Sequence, residues 1–442
     1  MQKTDLCHGS ILQGLLLFSL PMIAGNLLQQ VYNLADTLIV GRYIGPDGLA
    51  SVGASYALMT FLTSILIGLC MGSGAFLSSD YGAEKIEQLK EDTALSFLFI
   101  GGCTLIMMII LYPFTDGILH LLQIPSDLFD MMKSYITIIF AGIPAVFLYN
   151  FLAYSLRSLG NSMAPLFFLS ISSLLNIVLD VLFITRLHAG VAGAASATVI
   201  AQYVCALGLL IYTAAVEPIC REVMLQRRID WNRMQIIMKN DASTCLQQSI
   251  MNFGILMIQG LVNSFGAVIM ASFAAAVKID TLAYMPAQEF GNASSLFISA
   301  NHGAGRKDRI HKGLHLSFLV SGIYCFCISA LIFLYAGNLM GIFVDASHHE
   351  IIQEGIRYLR IEGAAYVFIG FLFLWYGYFR GMGKPQISLF LTVISLGTRV
   401  VLSYTLAPYT PLGVTAVWLS IPIGWFLADL AGGMIYRKEQ QI

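Results

Sequence analysis

Two aspartates stand inside long apolar stretches of the first half of the chain, Asp36 within residues 14–40 and Asp180 within 163–185. A carboxylate at the centre of a lipid-exposed helix costs about 2.5–3.5 kcal/mol, so each must face protein or water. Both stretches run outward, and each Asp lies four or five residues before the outer end, so their depths match. Asn176 precedes Asp180 by four residues and shares its helix face, and Tyr32 stands in the same relation to Asp36. Thr198 lies eight residues into the next stretch, at comparable depth, and Gln202 follows one turn later. Repulsion and desolvation oppose two adjacent ionised carboxylates, so such a pair can carry a proton. The same set, with its amide, phenol and hydroxyl oxygens, also offers the oxygen shell that a hard cation such as sodium prefers. The alternative is plain hydrogen-bonded contact between helices. Pro21 removes a backbone hydrogen bond in the middle of the first stretch and predicts a kink there. That kink is either a gate coupled to Asp36 or a static bend.

Apolar stretches of about 20 residues position these side chains. They fall at residues 14–40, 50–79, 93–112, 134–155, 163–185 and 190–215, and again at 242–265, 271–300, 314–336, 358–378, 386–407 and 413–435. Six occupy each half, and the halves repeat. A shift of 221 carries Gly45, Ser51, Ser78 and Gly82 onto Gly266, Ser272, Ser299 and Gly303. A shift of 223 carries Tyr135, Arg157, Gly160 and Gly190 onto Tyr358, Arg380, Gly383 and Gly413. An even number of spans returns the chain to its starting side, so the repeat is parallel, about an axis along the membrane normal. The predicted fold is an all-α integral membrane protein of twelve transmembrane helices in two six-helix lobes. Residues 1–215 form the first lobe, 216–240 a cytoplasmic linker and 241–442 the second lobe. A substrate path is expected between the lobes, as in secondary transporters.

Composition agrees: hydrophobic residues make up 57% and charged residues 11%, where soluble domains carry about 25% charged. With the N-terminus inside, Lys3, Lys85, Lys90, Arg157, Arg221, Arg227, Arg228, Arg233, Lys239, Arg306, Lys307, Arg309, Lys312, Arg380, Lys384, Arg437 and Lys438 fall on the cytoplasmic side, 17 of the 24 Lys and Arg. Only Arg42, Lys133, Arg186 and Arg357 fall outside, so the positive-inside rule places both termini in the cytoplasm. The first stretch is too long for a signal-peptide core and has no small-residue cleavage site. A net charge of -1 points to no nucleic-acid partner, and the basic segment 217–240 reads as a solvated loop beside anionic lipid. The eight cysteines are scattered and read as small packing residues. HExxH, GxSxG and phosphate-loop motifs are absent, so no enzyme chemistry or cofactor is expected. His348, His349 and Glu350 read as a solvated loop rather than a metal site. Gly72–Ala75 and Gly190–Ala197 read as close-packing surfaces.

The segment SLPMIAGNLLQQVYNLADTLIVGRYIG from Ser19 to Gly45, NIVLD with Asn176 and Asp180, and the twin loops LRSLGN and FRGMGK resemble the multidrug and toxic compound extrusion (MATE) family over nearly the whole chain. The resemblance implies two lobes forming a V-shaped cleft and efflux of organic cations or other amphipathic compounds in exchange for protons or sodium. It implies a coupling-cation site on Asp36, Asn176, Asp180 and Thr198, with Tyr32 and Pro21 on the family's functional tyrosine and bend-forming proline. Some members carry a second ion site from a glutamate in span 7 and an aspartate in span 10. Here span 7 offers Gln247, Gln248, Asn252, Gln259 and Asn263, and span 10 has no aspartate.

The second half instead carries Lys278, Asp280 and Glu289 in span 8 and Arg399 at the repeat position of Asn176. Lys278 and Glu289 share a helix face about 16 Å apart and cannot pair directly. Gln202, Gln259, Glu289 and Lys278 are candidate substrate contacts; for the two charges, a lock to neighbouring groups is the alternative. Glu362 and Asp429 lie near span ends and are expected at the interface. The reading is a cation-coupled multidrug exporter of a prokaryotic cell membrane, working by alternating access and expected as a monomer, since the repeat supplies both halves of the path. The rival is a lipid-linked oligosaccharide flippase of the related superfamily, which requires a cationic cavity for pyrophosphate.

Overall fold

A chain crossing lipid can satisfy its own backbone only as helix or closed barrel, and no strand occurs among residues 3–121, 124, 126–218 and 230–440, which the computed structural model describes. The first half folds as α1 (Ile11–Tyr43), α2 (Pro46–Gly82), α3 (Ile86–Leu111), the short α4 (Thr115–Leu121), α5 (Ser126–Ala141), α6 (Ile143–Ser158), α7 (Met163–Val181) and α8 (Gly190–Val216). The second half folds as α9 (Trp231–Asn263), α10 (Ala267–Gly303), α11 (Lys307–Phe343), α12 (His349–Gly363), α13 (Tyr366–Gly381), α14 (Pro385–Leu406) and α15 (Val414–Gln440). Among the described residues, 11 helices are long and apolar enough to cross a membrane, and α12 with α13, bent by 51°, makes up to 12. One of these spans, Leu128–Ser158, joins α5 and α6.

The helices gather into two compact units, Met1–Asp5 with Leu20–Cys245 and Leu6–Ser19 with Leu246–Ile442. In the first, α2 packs on α3, α5 and α6, and α8 packs on α5, α6 and α7. The second repeats the scheme, with α10 against α11, α12 and α13, and α14 against α13 and α15. The expected linker differs from what is found. Residues 219–229, with Arg221, Arg227 and Arg228, lie outside the described residues. Residues 231–240 are the start of α9 rather than a loop, and this part of the helix belongs to the first unit. Side-chain chemistry explains its placement. Arg233 binds Asp92 of α3 through Nε at 2.8 Å and Nη2 at 2.6 Å. Two turns further along α9, Ser73 Oγ of α2 donates to Asp241 Oδ2 at 2.5 Å. Gly72 permits this approach, since a Cβ there would lie 2.7 Å from Asp241 Oδ1.

The repeated glycines have a backbone cause. Gly45 and Gly266, immediately before α2 and α10, have φ of 96° and 99°, a region costly for any side chain with a Cβ. The turn after α2 breaks this symmetry. Glu84 holds φ 56° where its repeat mate, 221 residues on, is Gly305 at φ 69°. Glu84 is exposed, and a Cβ at Gly305 would meet nothing within 4 Å, so both positions are governed by backbone strain alone.

Glu84→Gly is therefore expected to stabilise the protein by about 0.5–1 kcal/mol, the relieved strain exceeding the added chain entropy, whereas Gly305→Ala should destabilise it by about 1 kcal/mol. Thermal unfolding in detergent reads both, and a lower Tm for Glu84→Gly would refute the strain argument. Arg233→Ala strands the fully buried Asp92 and is expected to cost about 3 kcal/mol. Asp92→Asn in the same background should recover part of that loss.

Candidate functional site

Three helices of the first unit place the intramembrane acids. α7 starts where Asn161 Oδ1 caps the Ala164 amide at 3.1 Å, and it is tied to α8 by Ser172 Oγ donating to the Ala201 carbonyl at 2.7 Å. The small Ala194, Ala195 and Ala197 of α8 are buried and permit close helix approach. Higher on the same faces, Asn176 Nδ2 donates to Thr198 Oγ1 at 3.3 Å. Asp180 occupies the last turn of α7 and is 0% exposed. Immediately after it the chain widens into a π-helical turn, Leu182–Arg186, closed by Leu187 N to Leu182 O at 3.2 Å. Such π turns recur where a helix serves a site, and no sequence pattern announced this one.

Asp36 of α1 comes within hydrogen-bonding reach of Asp180, whose other neighbour is Asn176. Neither carboxylate can donate to the other without a proton between them. Asp36 Oδ1, both carboxyl oxygens of Asp180 and Asn176 Oδ1 are buried with no hydrogen-bond partner. The structure thus brings Asp36, Asn176, Asp180 and Thr198 together. Tyr32 lies within electrostatic range of Asp36 while bonding Gln29, and Tyr135 of α5, which sequence reasoning did not single out, borders both acids. Gln202 is placed differently. Its Oε1 is buried without a partner and packs on Gly142, at the break between α5 and α6, where a Cβ would collide with it. Pro21 is buried inside an unbroken α1, two residues after Ser19, the last residue of α1 in the second unit.

The second unit departs from expectation at two acids. Glu362, expected at the interface, is 1% exposed and faces Asp280. The reason is that α12 begins at His349, so Glu362 lies well inside the bent span 349–381 rather than at its end. Both carboxyl oxygens of Asp429 are likewise enclosed. Glu289 is buried and accepts from Asn292 Nδ2 at 3.2 Å, while Asn292 Oδ1 accepts from Arg380 Nη2 at 3.0 Å. That network is the neighbour-locked arrangement rather than an open substrate contact. Lys278 is exposed, and Gln259 donates to Asn263 Oδ1 at 2.8 Å. His348, His349 and Glu350 are exposed, and no group of three or more metal-ligating side chains forms among the described residues.

Comparison with known proteins bears on the family and the fold. The MatE family model matches residues 21–182 and 243–405, one stretch in each half. The probable multidrug resistance protein YpnP of Bacillus subtilis (strain 168) is 27% identical over 442 residues, covering 99% of this chain and 97% of that protein. The multidrug export protein MepA of Staphylococcus aureus (strain NCTC 8325 / PS 47) is 22% identical over 429 residues, covering 96% and 93%. A solved structure, "Outward-facing conformation of a multidrug resistance MATE family transporter of the MOP superfamily", matches with a TM-score of 0.93 at 24% identity, covering 99% of this chain and 98% of that one.

Facing carboxylates repel when both are ionised, so Asp180→Asn, which removes one charge and supplies an N–H donor to Asp36, is expected to stabilise the protein at alkaline pH by about 1 kcal/mol or more. At acid pH, where a proton already joins the pair, the variant should match the wild type. Tm measured across pH reads the difference, and a variant less stable at alkaline pH would contradict the facing geometry.

Proposed function

Because the chain belongs to the MatE family, we propose that it exports small amphipathic or cationic compounds across the cell membrane in exchange for a monovalent cation, proton or sodium, carried at Asp36, Asn176, Asp180 and Thr198. The observation that supports this reading is the facing Asp36–Asp180 pair, three of whose carboxyl oxygens are buried without a partner. Four unpartnered oxygens beside the Thr198 hydroxyl suit either one proton shared by the carboxyls or one desolvated sodium ion as the exchanged species. Two relatives, a probable multidrug resistance protein and a multidrug export protein, are in keeping with multidrug efflux.

Alternating access follows as part of the same proposal. Neutralising the pair removes the repulsion between α1 and α7, and α1 has a point of yielding at Pro21, whose ring forbids the bond to the Leu17 carbonyl. A charge-dependent bend there would link ion occupancy to the path taken by substrate. The distribution of Lys and Arg supports a cytoplasmic position for both termini. The flippase alternative is disfavoured by the enclosed charge, which is mainly acidic. Asp180, Asp241, Asp280, Glu289 and Glu362 outnumber Arg380 and Arg399, the reverse of what a pyrophosphate head group needs.

The test is efflux of a fluorescent organic cation from liposomes under an imposed proton or sodium gradient. Transport driven by one gradient in wild type and lost in Asp36→Asn and in Asp180→Asn is the expected result. Gradient-driven transport that survives both substitutions would remove these residues from the coupling step, and absence of organic-cation transport would favour the flippase.

A further inference from the structure

Each unit keeps an arginine at one place in the repeat, and only one of the two is tied down. Arg157, in the last turn of α6, and Arg380, in the last turn of α13, are repeat mates 223 residues apart. Arg380 is buried, with Nε donating to Ser295 Oγ at 3.1 Å and Nη2 to Asn292 Oδ1 at 3.0 Å. Asn292 donates in turn to Glu289 at 3.2 Å, so the α10 side chains absorb the guanidinium. Among the described residues Arg157 has no hydrogen bond or ion pair, and its Nε is buried without a partner. A polar atom left open in this way inside a packed unit points to a missing acceptor.

The difference lies in α2. The shift of 221 that carries α2 onto α10 places Gly68, Met71 and Gly74 where Glu289, Asn292 and Ser295 stand, and none of the three has a side-chain oxygen. A Cβ at Gly68 would lie 2.6 Å from Cys245 Cα, so the backbone of α9 takes the space where a side chain would begin. A Cβ at Gly74 would come within 3.1 Å of Tyr154, whose own repeat mate is Gly377. The first unit therefore has a ring where the second has none, and the guanidinium carbon of Arg157 lies 5.2 Å from the centroid of that ring. Tyr149, whose repeat mate is Leu372, adds a hydroxyl within electrostatic range. The cation is kept, its acceptors are replaced, and an aromatic platform is added.

Arginine cannot shed its proton, and burying a guanidinium nitrogen without an acceptor is costly. A ring beneath the guanidinium uses only its face. The N–H donors lie in the plane of the group, where their fork matches the two oxygens of a carboxylate or phosphate. Arg157 also sits in the last turn of the span Leu128–Ser158, at the depth of lipid headgroups. We propose that Arg157, on its Tyr154 platform, binds an oxyanion, the phosphate or carboxylate of an amphiphile whose tail lies in the bilayer. The ligand supplies from outside the acceptors that Ser295 and Asn292 supply to Arg380 from within. The inference adds acid-bearing amphiphiles to the ligands of the first unit, and it does not rest on the coupling role of Asp36 and Asp180.

Calorimetric titration of the delipidated full-length protein in a neutral detergent tests this, with dihexanoyl phosphatidylglycerol, dodecyl phosphate and the uncharged dihexanoyl glycerol as probes. The wild type is expected to bind an anionic probe more tightly than the uncharged one. Arg157→Gln should weaken that binding about tenfold or more, and Arg157→Lys, which keeps the charge but not the fork, by less. A response to the phospholipid alone identifies a headgroup as the source, and a response to dodecyl phosphate alone identifies a free amphiphile; either supports the site. Where Arg157→Gln does not fold, the wild type is treated with phenylglyoxal, which modifies free guanidinium groups, and mapped by mass spectrometry. An anionic probe should then slow modification of Arg157, while Arg380, committed within its unit, serves as the unreactive reference. Anionic probes that bind no better than dihexanoyl glycerol overturn the proposal. So does binding that Arg157→Gln leaves unchanged, or modification of Arg157 that neither anionic probe slows. Because binding is read without transport, its failure is distinguishable from failure of the export reading.

Discussion

A carboxylate enclosed among helices needs a guanidinium, an ammonium, a hydroxyl or a proton beside it, and the internal architecture of this chain follows from meeting that need. Where a base is available the acid is purely structural. Asp92 takes Arg233 in a two-point contact and Glu217 takes Lys3 at 2.7 Å, and each pairing draws a distant segment onto the first unit. Among the described residues, Asp241 has only the Ser73 hydroxyl. The Asp36–Asp180 contact brings two acids together with no base beside them among the described residues. That arrangement is of least use to stability and of most use to a protein that must take up and release a cation.

The internal repeat preserves backbone constraints more faithfully than side-chain chemistry. Gly45 and Gly266 recur because both must adopt a positive φ before a long helix, and Gly142 and Ala365 both stand where a span breaks. Charge has redistributed over the same frame. Asn176 in one half is Arg399 in the other, and the acids of the second unit come from α10 and α12, whereas those of the first come from α1 and α7. The frame offers an enclosed position between helices, and different helices supply the carboxyls that occupy it.

Residue depth was legible in the sequence, because rise per residue along a helix is fixed. Counting from span ends was enough to place Asp36, Asn176, Asp180 and Thr198 at one level, and the structure joins them. Glu362 was misplaced by the same count. The helix that carries it starts at His349, and its polar first turns were not recognised as part of the bent span 349–381, so the count began too late. Asp241 and Arg233 were hidden for another reason. They sit in a polar stretch that resembles a loop until Asp92 and Ser73, more than 140 residues earlier, are recognised as their partners.

By itself the sequence determined the helical membrane class, the internal repeat, the number of spans and the common depth of Asp36 and Asp180. Those properties depend on hydrophobic length, periodicity and local backbone chemistry. Only the tertiary structure decided which acids share an enclosure, which are paired with bases, where spans break and to which unit the ends of α1 and α9 belong. Those properties depend on the rotation of each helix about its axis and on contacts between residues far apart in the chain. Rotation is set by packing against neighbours in space, and no pattern along a single span encodes who those neighbours are.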